Sequence, residues 1–272
     1  MPPPVTIEDP ADPRLAPYAR MRERDLVGRE GRFVVEGEVT LRLLLSGRAR
    51  FRAESVLLAP ERLDGLAGAL EACPEPPPVY LAGKAAMSAV TGFPIHRGVL
   101  AIGIRGEDPT PAALVPDAPA PALVVGLAGL TNHDNVGALF RNAAAFGADA
   151  VLCDAATCDP LYRKAIRVSA GAALTVPFAR LPAGQDWLSF AGERDLVPLA
   201  LSPAGATDLA DLPALPRALL LLGTEGPGLP GSLLARARGL RIPMAPGFDS
   251  LNVATAGAIA LHHLARMRDR LS

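Results

Sequence analysis

The chain has 272 residues, half of them apolar, a formal net charge of −1 and three cysteines. Its length supplies core for one large domain or two ordinary ones, and its charge balance carries no overall nucleic-acid signature. Cysteines at 73, 153 and 158 form no disulfide framework, no apolar run reaches membrane-spanning length, and "MPPPVTIEDPADP" lacks the basic and apolar regions of a signal peptide, so the expectation is a soluble cytoplasmic protein.

From the N-terminus, the first feature is a run rich in arginine. Between Arg14 and Arg52, ten Arg stand against five acids: Glu23, Asp25, Glu30, Glu36 and Glu38. Such a cluster suits phosphate. It equally suits a solvated helical surface, because the whole chain uses 25 Arg and only two Lys. Strand and helix signals then alternate. "RFVVEG" reads as a strand and "EVTLRLLLSG" as an amphipathic helix. "SVLLA" leads into "PERLDGLAGALEA", "PVYLA" into "GKAAMSAVTG", and "GVLAIGI" closes the unit. This pattern predicts a small α/β sandwich over residues 1–105. "GEDPTPAALVPDAPAP" follows, with five Pro in sixteen residues. Pro fixes φ and removes backbone donors, so residues 106–120 are expected to form an extended, semi-rigid linker.

Residues 121–272 repeat the alternation. "ALVVGLAG" precedes the helix of "NVGALFRNAAAFG", which opens beside Asn135 and closes at Gly147. "DAVLCD", "LYRKAIRVSAGA" and "TVPFA" come next, then "LVPLAL", "RALLLLG", "LRIPM" and a last helix from about Asn252 to Arg268. Short, continuously apolar strands are those of a parallel sheet with helices on both faces. Cys153 reads as a buried thiol in a strand. Cys153 and Cys158 lack two further ligands at zinc spacing, and His262-His263 read as helix-face residues, so no metal is expected.

In such a sheet, ligands bind outside the carboxyl ends of the strands. Three loops there are rich in Gly and small polar residues: "LTNHDN", "TEGPGLPG" and "APGFDSLN". The second suits a pocket lined by backbone, or simply a tight turn. In the third, Asp249, Ser250 or Asn252 suits a helix N-cap as well as a polar contact. No dinucleotide fingerprint and no P-loop is present, which argues against a nicotinamide enzyme and an NTPase.

Taken together and in order, these loops resemble the three motifs of the SpoU (TrmH-type) RNA ribose methyltransferases, within the SPOUT superfamily. Asn135, Gly137 and Arg141 with "AAAFGA" resemble the first, "GTEGPGL" the second and "IPMAPGFDSLNVATAGAIAL" the third. The spacer "DPLYRKAIRVSAGA" is also similar, and the likeness covers residues 121–268. Residues 1–105 resemble, more loosely, the RNA-binding domain related to small ribosomal α/β proteins that many members carry. The resemblance implies an α/β fold with a C-terminal trefoil knot and a parallel sheet. It implies S-adenosylmethionine as cofactor, ribosomal or transfer RNA as substrate, a homodimer, and no metal. A non-catalytic RNA-binding protein on the same fold is the alternative.

By the same likeness, Gly223, Ile242 and Leu251 contact the cofactor through backbone groups, with Thr224 and Met244 nearby. Arg141 enters the active site and acts on the ribose 2′-hydroxyl. A guanidinium titrates at about 12.5 or above, so cationic stabilisation of a developing alkoxide is the simpler role than base. Asn135 then positions Arg141 or the RNA, Glu225 anchors the loop or Arg141, and Ser250 and Asn252 make polar contacts near the transferred methyl.

Overall fold

The computed structural model describes residues 3–19, 27 and 30–267. Arg20, Arg22, Arg24 and Arg29 of the Arg-rich run, with Glu23 and Asp25, lie outside the described residues, as does Arg268. Strands are β1 (Val5–Thr6), β2 (Arg32–Glu36), β3 (Arg52–Leu58), β4 (Val79–Leu81), β5 (Val99–Ile104), β6 (Ala122–Ala128), β7 (Ala150–Cys153), β8 (Phe178–Arg180), β9 (Val197–Leu201), β10 (Thr207–Asp208), β11 (Arg217–Gly223) and β12 (Arg238–Arg241). Helices are α1 (Glu38–Leu44), α2 (Leu63–Glu71), α3 (Lys84–Thr91), α4 (His133–Ala145), α5 (Arg163–Val168), α6 (Trp187–Glu193), α7 (Gly231–Leu234) and α8 (Val253–Arg266). The chain forms two compact units. One joins Met1–Glu107 to Asp159–Thr175; the other joins Asp108–Cys158 to Val176–Ser272.

The first unit is a five-stranded mixed sheet in the order β1-β4-β3-β5-β2. β1, β4 and β3 run parallel, and β5 is antiparallel to both neighbours. Its core includes Val34, Leu57, Met87, Leu100 and Ile102. Tyr18 is fully buried there, its hydroxyl 2.7 Å from Ser55 Oγ. Burial drives its pKa upward, because the phenolate has no water to solvate it. The segment Asp159–Thr175 completes this unit, although it lies between β7 and β8 in sequence. Asp159 accepts from Arg105 at 2.6 Å, Arg163 pairs with Glu36 at 3.4 Å, and the Arg50 amide donates to Leu174 O at 3.0 Å. Cutting the chain at residue 106 therefore removes the surface on which residues 159–175 fold.

The second unit is an all-parallel, seven-stranded sheet in the order β10-β12-β9-β11-β6-β7-β8. β6 and β7 are buried at every position, and β11 at all but Gly223. This is the continuous apolar run that a strand covered on both faces requires. Two boundaries differ from the sequence expectation. Helix α4 starts at His133 rather than beside Asn135, because the Asn132 side chain caps it by accepting from the Asp134 amide at 2.8 Å. β12 ends at Arg241, so Ile242 and Met244 leave the ladder; Pro243 has no N–H to continue it. β1 and β10 are two residues long, too short for a periodicity to show.

Arg217, at the start of β11, is 7% exposed, and its guanidinium donates to four carbonyls. They belong to Arg194 at 2.7 Å, Pro116 at 2.9 Å, Asp195 at 3.2 Å, and Ala120. Pro116 and Ala120 belong to the Pro-rich stretch, which this one side chain clamps to the sheet. Arg217→Ala removes all four of those bonds and the clamp they form. A loss of roughly 3 kcal/mol is expected, read as a lower urea midpoint at unchanged slope. Among the described residues, no helix is long and apolar enough to cross a membrane.

Candidate functional site

The loops that follow β9, β11 and β12 enclose a cavity of about 340 Å³ at the carboxyl ends of adjacent strands. The loop after β11 is built by glycine. Gly226 and Gly228 hold φ of 87° and 69°, and the Gly228 amide donates to Thr224 O at 3.1 Å, closing a tight turn. That turn folds back on the strand it leaves. A Cβ on Gly223 would stand 2.4 Å from Leu229 N and 2.5 Å from Gly228 C, both backbone atoms. Any side chain at residue 223 therefore forces this turn to move, quite apart from any space a ligand needs.

The loop after β12 ends at Asn252, the N-cap of α8. Its Oδ1 accepts from the Ala254 amide at 2.9 Å and the Thr255 amide at 3.3 Å. Capping uses only the oxygen. The amide nitrogen of the same side chain donates to Asn135 Oδ1 at 2.9 Å, and Asn135 Nδ2 donates to Glu225 Oε1. Asn135 is buried in the first turn of α4. These three side chains therefore tie the β11 loop, the β12 loop and the helix after β6 into one hydrogen-bonded chain. Asn142, two turns further along α4, donates to Ala254 O at 2.9 Å and holds α8 alongside.

Gly223, Thr224, Ile242, Met244 and Leu251 all line this one cavity, as do Glu225, Ser250 and Asn252. Asn135 stands behind it through its two hydrogen bonds. Arg141 does not join them. It is exposed on α4, away from the cavity lining, and makes no hydrogen bond or ion pair among the described residues. Helix geometry accounts for this. Six residues at about 100° each turn Arg141 some 240° from Asn135 and carry it about 9 Å along the axis.

Sequence reasoning passed over four contributors. Ser202 and Pro203 line the cavity from the loop after β9, which looked unremarkable in sequence. The strand-end rule applied to "LVPLAL" points there. Asn142 and Asn132 act only through tertiary or capping bonds, and composition does not mark them. Among the described residues, no group of His, Cys, Asp and Glu is arranged to hold a metal ion. Among the described residues, Glu225 is the one ionisable side chain lining the cavity, and no cation lines it.

Comparison with known proteins agrees with this architecture. Residues 122–262 match the SpoU rRNA Methylase family. An uncharacterized tRNA/rRNA methyltransferase of Mycobacterium bovis is 38% identical over 274 residues, covering 95% of this chain and 90% of that protein. A solved RNA 2′-O ribose methyltransferase superposes with a TM-score of 0.75 at 26% identity, covering 98% of this chain and all of that one. The AdoMet-bound SpoU methyltransferase AviRb of Streptomyces viridochromogenes gives a TM-score of 0.80 at 21% identity over 96% of this chain and 100% of that one, a likeness of fold. On the profile match and the near full-length relative together, the chain belongs to the SpoU rRNA Methylase family.

Proposed function

We propose that this protein binds S-adenosylmethionine in the cavity beside β11 and transfers a methyl group to a ribose 2′-hydroxyl of ribosomal or transfer RNA. The observation that carries the reading is the cavity's chemistry among the described residues: backbone and apolar walls, small polar side chains, one carboxylate and no cation. A pocket for a di- or triphosphate nucleotide calls for cationic side chains or a phosphate-binding turn. This one suits a purine nucleoside that carries positive charge. When bound, the cofactor supplies an activated methyl on a sulfonium.

The chain's own residues supply alignment. Backbone around Gly223, Ile242 and Leu251, with Thr224 and Met244, holds the cofactor. The Glu225–Asn135–Asn252 chain fixes both loops before any ligand arrives, so little reorganisation is left for the reaction. Ser250 presents a hydroxyl at the cavity wall. Arg141 stabilises the developing alkoxide and orients a phosphate. Its exposure, with no bond among the described residues, supports a target outside its own chain, either the RNA or the cavity of a second protomer in a homodimer. The trefoil knot implied by family resemblance belongs to the same reading. The turn after β11, pressed on its own strand, and the β12 loop on the same cavity both support it. A cytoplasmic location follows from the RNA substrate.

The test is transfer of labelled methyl from S-adenosylmethionine to total RNA, followed by digestion to nucleosides. Label in 2′-O-methyl nucleosides is expected. Label only in base-methylated nucleosides would refute ribose as the acceptor. RNA binding with no transfer at all would make the protein a non-catalytic RNA binder.

A further inference from the structure

Carboxylates hold three of the described arginines of the Arg-rich run. Arg14 is held by Asp12 at 2.6 Å, Arg32 by Glu54 at 2.7 Å and Arg42 by Glu38 at 2.8 Å. Arg48 and Arg52 are exposed and have no carboxylate partner among the described residues. Positive charge without a carboxylate is thus concentrated at the start of β3.

The same stretch walls a cavity of about 410 Å³ in the first unit. Residues 49–53 form one side, and the end of α1 with residues 44–47 forms the next. Residues 73–75 and 104–106 close it. Register explains the convergence: Arg52 pairs with Ile104 across β3 and β5, which puts Arg105 at the same end of the sheet. Arg105 is fixed by Asp159, both side chains being largely buried. Phe51 is braced edge-on against core Phe33, with ring centroids 5.3 Å apart, and the Arg50 guanidinium lies 5.9 Å from the Phe51 centroid. Glu75, exposed on the far wall, is the only carboxylate in the lining among the described residues.

We infer that this cavity is a subsite for one unstacked nucleotide of an RNA strand, its phosphate on Arg52 and its base against Phe51. Guanidinium forks match the two free oxygens of a phosphodiester. RNA bases outside a helix are recognised by stacking on aromatic and guanidinium planes. The cavity lies within the size range of small-ligand sites. The inference deepens the RNA reading above and rests on it for the source of the nucleotide.

The full-length protein carries the test, with a fluorescein-labelled oligouridylate as probe and binding followed between about 50 and 200 mM salt. Each phosphate contact on a single strand contributes about 0.7 to the slope of log K against log salt. Arg52→Ala is expected to lower the slope by about 0.7 and to weaken binding roughly fivefold near 0.1 M salt. Arg42→Ala, whose guanidinium is already held by Glu38, should leave the slope unchanged. An abasic strand should bind wild type roughly tenfold more weakly, from lost stacking. Melting curves check folding, and Arg52→Gln, which keeps most of the side chain at this exposed position, serves if Arg52→Ala is unstable. A wild-type slope in the folded variant overturns the subsite. Competition by oligoglutamate but not by uridine monophosphate also overturns it, in favour of an acidic protein partner. Methyl transfer separates the two readings. Transfer with an unchanged slope removes the subsite alone, whereas a reduced slope in a protein that transfers no methyl removes the enzymatic reading alone.

Discussion

Arg141→Ala and Arg141→Lys are expected to fold, melt and bind S-adenosylmethionine like the wild type, yet to transfer methyl about a hundred-fold more slowly. The stability half follows from its surroundings. Arg141 is exposed and bonds to nothing among the described residues, so substitution should shift stability by no more than about 0.5 kcal/mol. The rate half follows from the proposed role. A preorganised donor aimed at developing negative charge is worth about 2.7–4 kcal/mol, on the order of a hundred-fold or more. Lysine keeps the charge but loses the planar fork that orients two oxygens together, so it should rescue little. Single-turnover transfer of labelled methyl, beside a melting curve for each variant, makes the measurement. Near-normal transfer by the lysine or the alanine variant would return Arg141 to an ordinary surface position.

Gly223→Ala is expected to weaken S-adenosylmethionine binding about ten- to a hundred-fold while leaving the sheet folded. The added Cβ meets Leu229 N and Gly228 C at 2.4 and 2.5 Å, so the turn must move. Over-packing of this kind costs about 1–3 kcal/mol, and each 1.4 kcal/mol is a factor of ten in affinity. The displaced turn carries Thr224 and Glu225, hence both a cavity wall and the acceptor for Asn135. Gly226→Ala is the control for backbone strain. Its Cβ would meet nothing within 4 Å, and only its φ of 87° is unfavourable, so the expected loss is smaller. Calorimetry across the three proteins decides the matter. Equal affinity in Gly223→Ala would detach the β11 turn from the cofactor pocket. Mixing Arg141→Ala with Gly223→Ala adds a test of the homodimer: recovered transfer means that two protomers share one site, and no recovery places Arg141 and the cavity in the same protomer's reaction.

Much of the local structure was legible because its causes are local. β6, β7 and β11 are unbroken apolar runs, and such runs form strands when both faces are covered. Gly226 and Gly228 marked a turn, and Asn252 marked a helix start, each through its own backbone chemistry. The strand-end rule then located the cavity, because loops at one edge of a parallel sheet must converge. What the residues did not disclose was pairing at a distance. Asn135, Glu225 and Asn252 are separated by up to 117 positions along the chain, and only the folded sheet brings their amides and carboxylate into one hydrogen-bonded line. Arg141 shows the converse. Its motif sets it near Asn135 in sequence, while the helical turn directs it elsewhere.

The segment Asp159–Thr175 marks the boundary between the two kinds of information. By itself the sequence determined its helix, through "RKAIRV", and the alternation of strands and helices on either side. The local pattern β7, helix, β8 reads as an ordinary crossover of the second sheet. Tertiary structure assigned the segment to the first unit instead, through the Arg105–Asp159 and Glu36–Arg163 ion pairs and the bond from Arg50 to Leu174. Secondary structure depends on neighbours a few residues away, and sequence displays them. Which unit a helix joins depends on charges and backbone groups more than fifty positions distant, and only folding brings these into contact.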